Sequence, residues 1–313
     1  MATYFLEPQA DTLHGCFSHD LPPALVIDPG DTVRCRTLDA DWILEPPDDL
    51  SKSLGWTDWK NLRRFEPRTK ERDDGHALIG PIHIRGAQPG MMLAVYINRL
   101  VSGTWGWALP WFGASNERKD DISYMLWTLD TTKMIGRSNH GHTVTLRPFM
   151  GVMGNALDEP GYLSTTPPRA VGGNLDCKEL VAGSTVYLPI AVAGGLFSFG
   201  DGHAAQGDGE SSGTAIECPM QRVDLTFELI ENPPIPTIHA NTPAGWLTFG
   251  FHEDLNIAAD SALAAMLDLL SARYGVSRME ALTLAGVAID LRITQIVNQV
   301  KGVHAVLPHG AIR

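Results

Sequence analysis

At 313 residues the chain can bury a large core, and 44 % hydrophobic against 19 % charged residues, with no low-complexity tract, exclude a disordered polymer. A net charge of −12, from 24 basic and 36 acidic residues, repels phosphate backbones and leaves no basic stripe for nucleic acid or an anionic membrane. A neutral or cationic small substrate suits it better.

The opening MATYFLEPQADTLHG has no basic region followed by an apolar run, and no stretch of about 18 consecutive apolar residues follows, so a cytoplasmic protein without signal peptide or membrane span is expected. Cys16, Cys35, Cys177 and Cys218 lie far apart without a CxxC pair and read as reduced, buried thiols. The 31 glycines and 21 prolines punctuate the first 250 positions as turns punctuate a β-rich chain. Strands are expected at Thr32 to Leu38, Leu93 to Leu100, Thr143 to Arg147, Thr185 to Val192 and, by strict alternation, Val223 to Ile230.

Leu263, Met266, Leu267, Leu270 and Tyr274 recur at helical spacing ahead of Gly275 and predict a helix over about 259 to 274. Ser277 to Glu280 is a capping box opening a second helix, and Asp290 to Val297 reads as a final strand. The expected fold is α+β and mainly β, with antiparallel sheets in a sandwich or barrel-like arrangement and a C-terminal helical pair. With no flexible linker, residues 1–313 read as a single catalytic unit: β-rich 1–230, a connection at 231–243, and an α+β part over 244–313.

The densest chemistry lies in Ser198 to Glu210, SFGDGHAAQGDGE. Asp201, His203, Asp208 and Glu210 are residue types that bind a divalent cation or move protons, and the glycines between them let backbone approach a ligand closely. The bland alternative is a solvated Asp-Gly turn. Upstream stand STTPPR at 164–169 and GGNLD at 172–176. The string STTPPRAVGGNLDCKEL, then GSTVYLPIAVAGGLFSFGDGHAAQGDGE and SGTAIE, resembles the acetamidase/formamidase family of amide hydrolases. Supporting matches are PGDTV at 29–33, GHALIGPIHIRGAQPG at 75–90, RPFMGVMG at 147–154 and the terminal DLRITQIVNQVKGVHAVLP. The resemblance implies hydrolysis of short aliphatic amides to acid and ammonia, on a mainly β fold, in a homo-oligomer. Residues 99–142 carry little of the family pattern; Trp105, Trp107, Trp111 and Phe112 there could shape a pocket wall or belong to core.

An unactivated amide needs its carbonyl polarised, a strong nucleophile at neutral pH and a proton for the departing nitrogen. A divalent metal, zinc by the presence of histidine, meets the first two needs. Asp201 and His203, two apart on extended backbone, converge on one ion, and Asp176 is the third expected ligand. Glu210 is the expected general base with Asp208 its rival, and Asn174 could donate to the substrate carbonyl. His76 is a further candidate ligand or proton shuttle. His140 and His142 read as exposed, Arg169 as a turn anchor, and His83, His239, His252, His304 and His309 receive no role.

Three other enzymes and one binding module compete. A nitrilase-type thiol amidase would use Cys177 beside Lys178 and Glu179; a serine amidase would use the Ser211-Ser212 stretch; a ureohydrolase would need an Asp-rich partner motif that is missing. A non-enzymatic β-sandwich would hold structural calcium on Asp201, Asp208 and Glu210, which His203 argues against.

Overall fold

A computed structural model describes residues 1–110 and 123–313. Two large sheets carry the fold. In the larger, nine strands run in the order Thr3–Leu6, Thr32–Cys35, Met220–Ile230, Met92–Ser102, Thr185–Pro189, His239–Thr242, Gly245–His252, Val300–Leu307 and Asp290–Asn298. Every neighbouring pair is antiparallel except the first. The smaller holds Gly172–Asn174, Phe149–Gly154, Phe197–His203, Leu78–Ile84 and Leu13–His14, with Leu25–Ile27 added in parallel to Leu78–Ile84. Inward residues of both fill a common core, where the Phe197 ring meets Phe227 edge to face at 5.3 Å. The sheets are open, and the mainly β, antiparallel expectation holds.

The alternation read at Val223 to Ile230 belongs to a longer strand beginning at Met220, and Leu93 to Leu100 extends to Met92–Ser102. Other strands are shorter than expected, ending at Cys35, Thr145 and Pro189. Asp290–Asn298 is followed by Val300–Leu307, so it is the penultimate strand, placed at the sheet edge. The 231–243 stretch, expected as a connection, contains a strand of the larger sheet, His239–Thr242.

The first C-terminal helix spans Leu255–Tyr274, a turn earlier than the periodicity gave, because the Asp254 carboxylate accepts from the Asn256 and Ile257 amides and caps it there. Gly275 ends it in the left-handed region, φ 69°. Alanine at 258, 262 and 265 lets this helix ride directly on the sheet, and Gly250 beneath it has no room for a side chain: a Cβ there would lie 2.1 Å from the Ala258 carbonyl oxygen. The helix is long and apolar enough on average to cross a bilayer, yet it carries Asp260, Asp268 and Arg273 and packs on the strands at 245–252 and 300–307. Arg278–Ala288 follows, capped by Ser277 onto the Glu280 amide as the capping box predicts.

A third sheet, built from Trp105–Ala108, Ser123–Asp130, Ile135–Ser138, Thr143–Thr145 and Leu54–Gly55, encloses a small aromatic core of Trp59, Trp105, Trp107 and Tyr124. It lies beside the smaller main sheet. Trp107 and Glu217 exchange backbone hydrogen bonds of 2.9 and 2.8 Å, and Glu217 in turn bridges to His203.

Candidate active site

Two central strands of the smaller sheet build the site. Phe149–Gly154 and Phe197–His203 pair antiparallel, with Phe149 opposite His203 and Val152 opposite Gly200. Between those pairs Asp201 adopts φ 59°, outside the ladder's extended geometry. Asp176 (φ 45°) and Glu210 (φ 46°) are left-handed too, so three of the acidic residues sit in a conformation that non-glycine residues rarely hold. The surrounding structure over-determines them: the Asp176 amide donates to the Gly151 carbonyl at 3.2 Å, and the Asn298 side chain donates to Asp176 Oδ2.

Gly151 makes the space. A Cβ there would fall 2.5 Å from Asp201 Oδ2, 2.7 Å from Asp176 Oδ1 and 3.0 Å from His203 Cε1. One absent side chain thus marks where three functional groups converge.

His203 is the centre. Its Nδ1 donates to Gln206 Oε1 at 2.9 Å, and Gln206 donates onward to the Asp176 carbonyl at 2.8 Å. Nε2 then faces Asp201 Oδ2 at 3.3 Å and Glu217 Oε2 at 3.1 Å. Ligand atoms of Asp201, His203 and Glu217 lie within 4.8 Å of one another, as do those of Asp176, His203 and Glu210. All five side chains are buried, so the solvated Asp-Gly turn considered for this segment describes only Asp208, which is exposed. The sheet on both sides supplies the cover that a local reading omits.

The electrostatics follow from packing four carboxylates around one imidazole. Burial raises Asp176 and Glu217 to about 7, with neighbouring carboxylates adding to the effect and His203 opposing it. Glu210 is pushed well above its ordinary range by burial and then by Asp176. Burial also penalises charged His203, but Glu217 and Asp201 outweigh it and hold the ring well above its usual value. Asp201 goes the other way: against burial, His203 and His76 keep it well below the carboxylate range.

A cation fits this set. Asp176 Oδ1 and Glu210 Oε2 are buried without a hydrogen-bond donor, and Glu217 Oε2 has only the His203 ring at 3.1 Å, which apolar surroundings make costly unless further positive charge supplies what donors do not. Carboxylate oxygens with one imidazole nitrogen suit zinc or another divalent transition metal.

The remaining expected residues disperse. Asp208 pairs with Lys178 at 2.9 Å and stands outside both groups. Asn174 is buried on the Gly172–Asn174 strand opposite Val152, its Oδ1 without a donor. His76 binds Thr165 Oγ1 through Nδ1 at 2.8 Å and acts electrostatically on Asp201. Arg169 donates to the Pro167 carbonyl, an anchor within its turn, while His140 is exposed against Ser53. Trp105 and Trp107 are buried; Trp111 and Phe112 lie outside the described residues. Cys177 is fully buried with its thiol held well above the ordinary range, chiefly by burial, and donates to Glu179 at 3.5 Å, which makes a poor nucleophile.

Glu217 is the functional candidate that the sequence reading passed over. It sits in SGTAIE, inside the resembling block, but fourteen residues beyond His203, and no spacing rule links them. The link is an isolated antiparallel bridge between His203 and Glu217.

Residues 160–311 match the model of the Acetamidase/Formamidase family. A putative formamidase of Schizosaccharomyces pombe is 24 % identical over 314 aligned residues, spanning 77 % of this chain and 73 % of that protein. A formamidase of Methylophilus methylotrophus is 26 % identical over 64 % of this chain and 60 % of its own length. Among solved structures, an acetamidase of Bacillus halodurans superposes with a TM-score of 0.81 at 27 % identity, covering 97 % of each chain.

Proposed function

We propose that this amidohydrolase of linear amides, which matches the acetamidase/formamidase family over residues 160–311, cleaves short aliphatic amides such as formamide or acetamide with a divalent cation, zinc, at the His203 cluster. The observation that carries the metal is the buried convergence of Asp176, Asp201, Glu210 and Glu217 on one imidazole, with Asp176 Oδ1 and Glu210 Oε2 lacking any donor. Asp201, His203 and Glu217 would hold the ion, with Asp176 completing the set. Bound there, it supplies a Lewis acid that polarises the carbonyl and acidifies water.

The chain's own groups do the rest. Glu210 takes a proton from the attacking water and passes it to the departing nitrogen, so that R–CO–NH2 and water become the acid and ammonia. Asn174 orients the substrate carbonyl. Gln206 fixes the His203 ring so that Nε2 faces the carboxylates. His76, at the edge of the cluster, shuttles protons toward solvent. A homo-oligomer and a cytoplasmic location belong to the same proposal.

The test is ammonia release from formamide, acetamide and propionamide by the purified chain, before and after chelation, with metal content measured on the same samples. Activity that falls with the metal and returns on adding zinc supports the reading. Undiminished release from metal-free protein refutes the metal, and release from none of the amides refutes the substrates.

A further inference from the structure

The acids of the site are not held by their own sheet alone. Asp290–Asn298, at the edge of the larger sheet, reaches the site segment through backbone: the Gly209 amide donates to the Thr294 carbonyl at 3.1 Å, and the Ile296 amide donates to the Gly209 carbonyl at 3.1 Å. Those two bonds flank Gln295 and fix the residue before Glu210. The same strand ends at Asn298, whose side-chain amide donates to Asp176 Oδ2.

Gln295 stands between the two holds. Its strand pairs irregularly with Val300–Leu307, with register shifts between Ile293 and Gln295 and again between Gln295 and Asn298. Irregular pairing takes amides out of the ladder, and a buried amide then needs another acceptor. The Gln295 side chain supplies it: Oε1 accepts from the Val297 amide at 2.8 Å and the Asn298 amide at 3.0 Å, while Nε2 donates to the Val300 carbonyl at 2.9 Å. Gln295 is fully buried, and these bonds brace the turn around Gln299, which holds φ 65°. The bridge at Gly209 anchors the strand to the site, and the Gln295 side chain carries that anchorage out to Asn298.

Resting on the amidase reading, we infer that Gln295 is a positioning residue for amide hydrolysis, acting through Asn298 on Asp176. It touches neither substrate nor reacting atoms. Without its side chain the Val297 and Asn298 amides lose their acceptor, the turn relaxes to find others, and Asn298 withdraws from the carboxylate. A glutamine that merely filled the core would change stability and leave the rate alone. One that aims Asn298 changes kcat, and does so only while Asn298 is there to be aimed.

The experiment is a double-mutant cycle in the full-length protein with Gln295→Met, which keeps the volume and removes the polar atoms, and Asn298→Ala, reading kcat and KM for the best amide and Tm for each variant. Misplacing a reacting group by about 1 Å costs on the order of 10²-fold, so Gln295→Met should lower kcat about tenfold or more with KM within about threefold. In the Asn298→Ala background the same substitution should change kcat less than about twofold while still lowering Tm. Equal losses of kcat in both backgrounds, or an unchanged kcat in Gln295→Met, overturn the inference and leave the amidase reading intact. Where Gln295→Met does not fold, Gln295→Asn, too short to reach residues 297, 298 and 300 together, replaces it under the same criteria. If the wild-type chain turns over no amide, the amidase reading fails, and the crystal structure of Gln295→Met decides the clamp: Asn298 parted from Asp176 supports it, and an intact contact overturns it.

Discussion

Replacing Gly151 by alanine adds one methyl group at the point where the functional side chains meet. The new Cβ would lie 2.5 Å from Asp201 Oδ2 and 2.7 Å from Asp176 Oδ1, where ordinary contact begins at 3.4 Å. One or both carboxylates must then retreat by close to an ångström, or the strand must shift. Neither side chain has an easy way out, because both are buried in left-handed backbone and Asp176 is fixed by Asn298. Overpacking of this kind costs about 1–3 kcal/mol, which a chain this size survives as a fall of a few degrees in Tm. A 1 Å misplacement of catalytic groups costs on the order of 10²-fold in rate. Gly151→Ala should thus fold, melt slightly lower, hold less metal and lose about two orders of magnitude in kcat/KM for its best amide. Ammonia release, thermal unfolding and metal analysis on one preparation read all of this. Activity within threefold of wild type would show that the convergence at Gly151 is not the reacting centre.

Glu210→Gln should retain metal and fold while turnover falls about 10²–10⁴-fold, the contribution of a positioned general base; unchanged kcat would remove Glu210 from the mechanism. Metal binding should be pH-dependent. Asp176 and Glu217, raised to about 7 by burial, keep protons up to that pH in the metal-free chain, so affinity should rise as pH climbs to about 7 and loading should release protons, as calorimetry in buffers of different ionisation enthalpy would reveal. The same raised values mean that these groups stabilise the metal-free fold below about pH 4 and lose that contribution as pH rises through 7, so the rescue of Tm by zinc should be larger at pH 8 than at pH 6. Asp224 has the opposite sign. Burial works against its charge, but Arg222 and Arg34, both hydrogen-bonded to it, hold its pKa below the ordinary value. Its contribution is present above about pH 4 and lost on acidification. Asp224→Asn should cost about 1–2 kcal/mol at pH 7, discounted because both arginines are one-third exposed, and the difference in urea midpoint should vanish near pH 2.

Much of the architecture is written locally. Alternation at Val223 to Ile230 marks a strand because one face must be apolar, and Ser277 with Glu280 marks a helix start because orphan amides need acceptors. Boundaries were less legible: the Leu255–Tyr274 helix begins where Asp254 caps it, ahead of the apolar stripe at Leu263. The strand after Asp290–Asn298 was hidden because Val300–Leu307 is buried on both faces and lacks alternation.

The sequence by itself determined the chemistry that is possible. It placed Asp176, Asp201, His203 and Glu210 in one block, and the resemblance pointed to amide hydrolysis. Only tertiary structure decided which of them meet. Pairing of Phe149–Gly154 with Phe197–His203 put Gly151 under the carboxylates, and a bridge across the fold brought in Glu217. Asp208, chemically as suitable as any of them, was drawn away to Lys178. The reason is physical: ligand affinity is a property of a side chain, but convergence within a few ångströms depends on register between strands, and register is set by burial across the whole sheet.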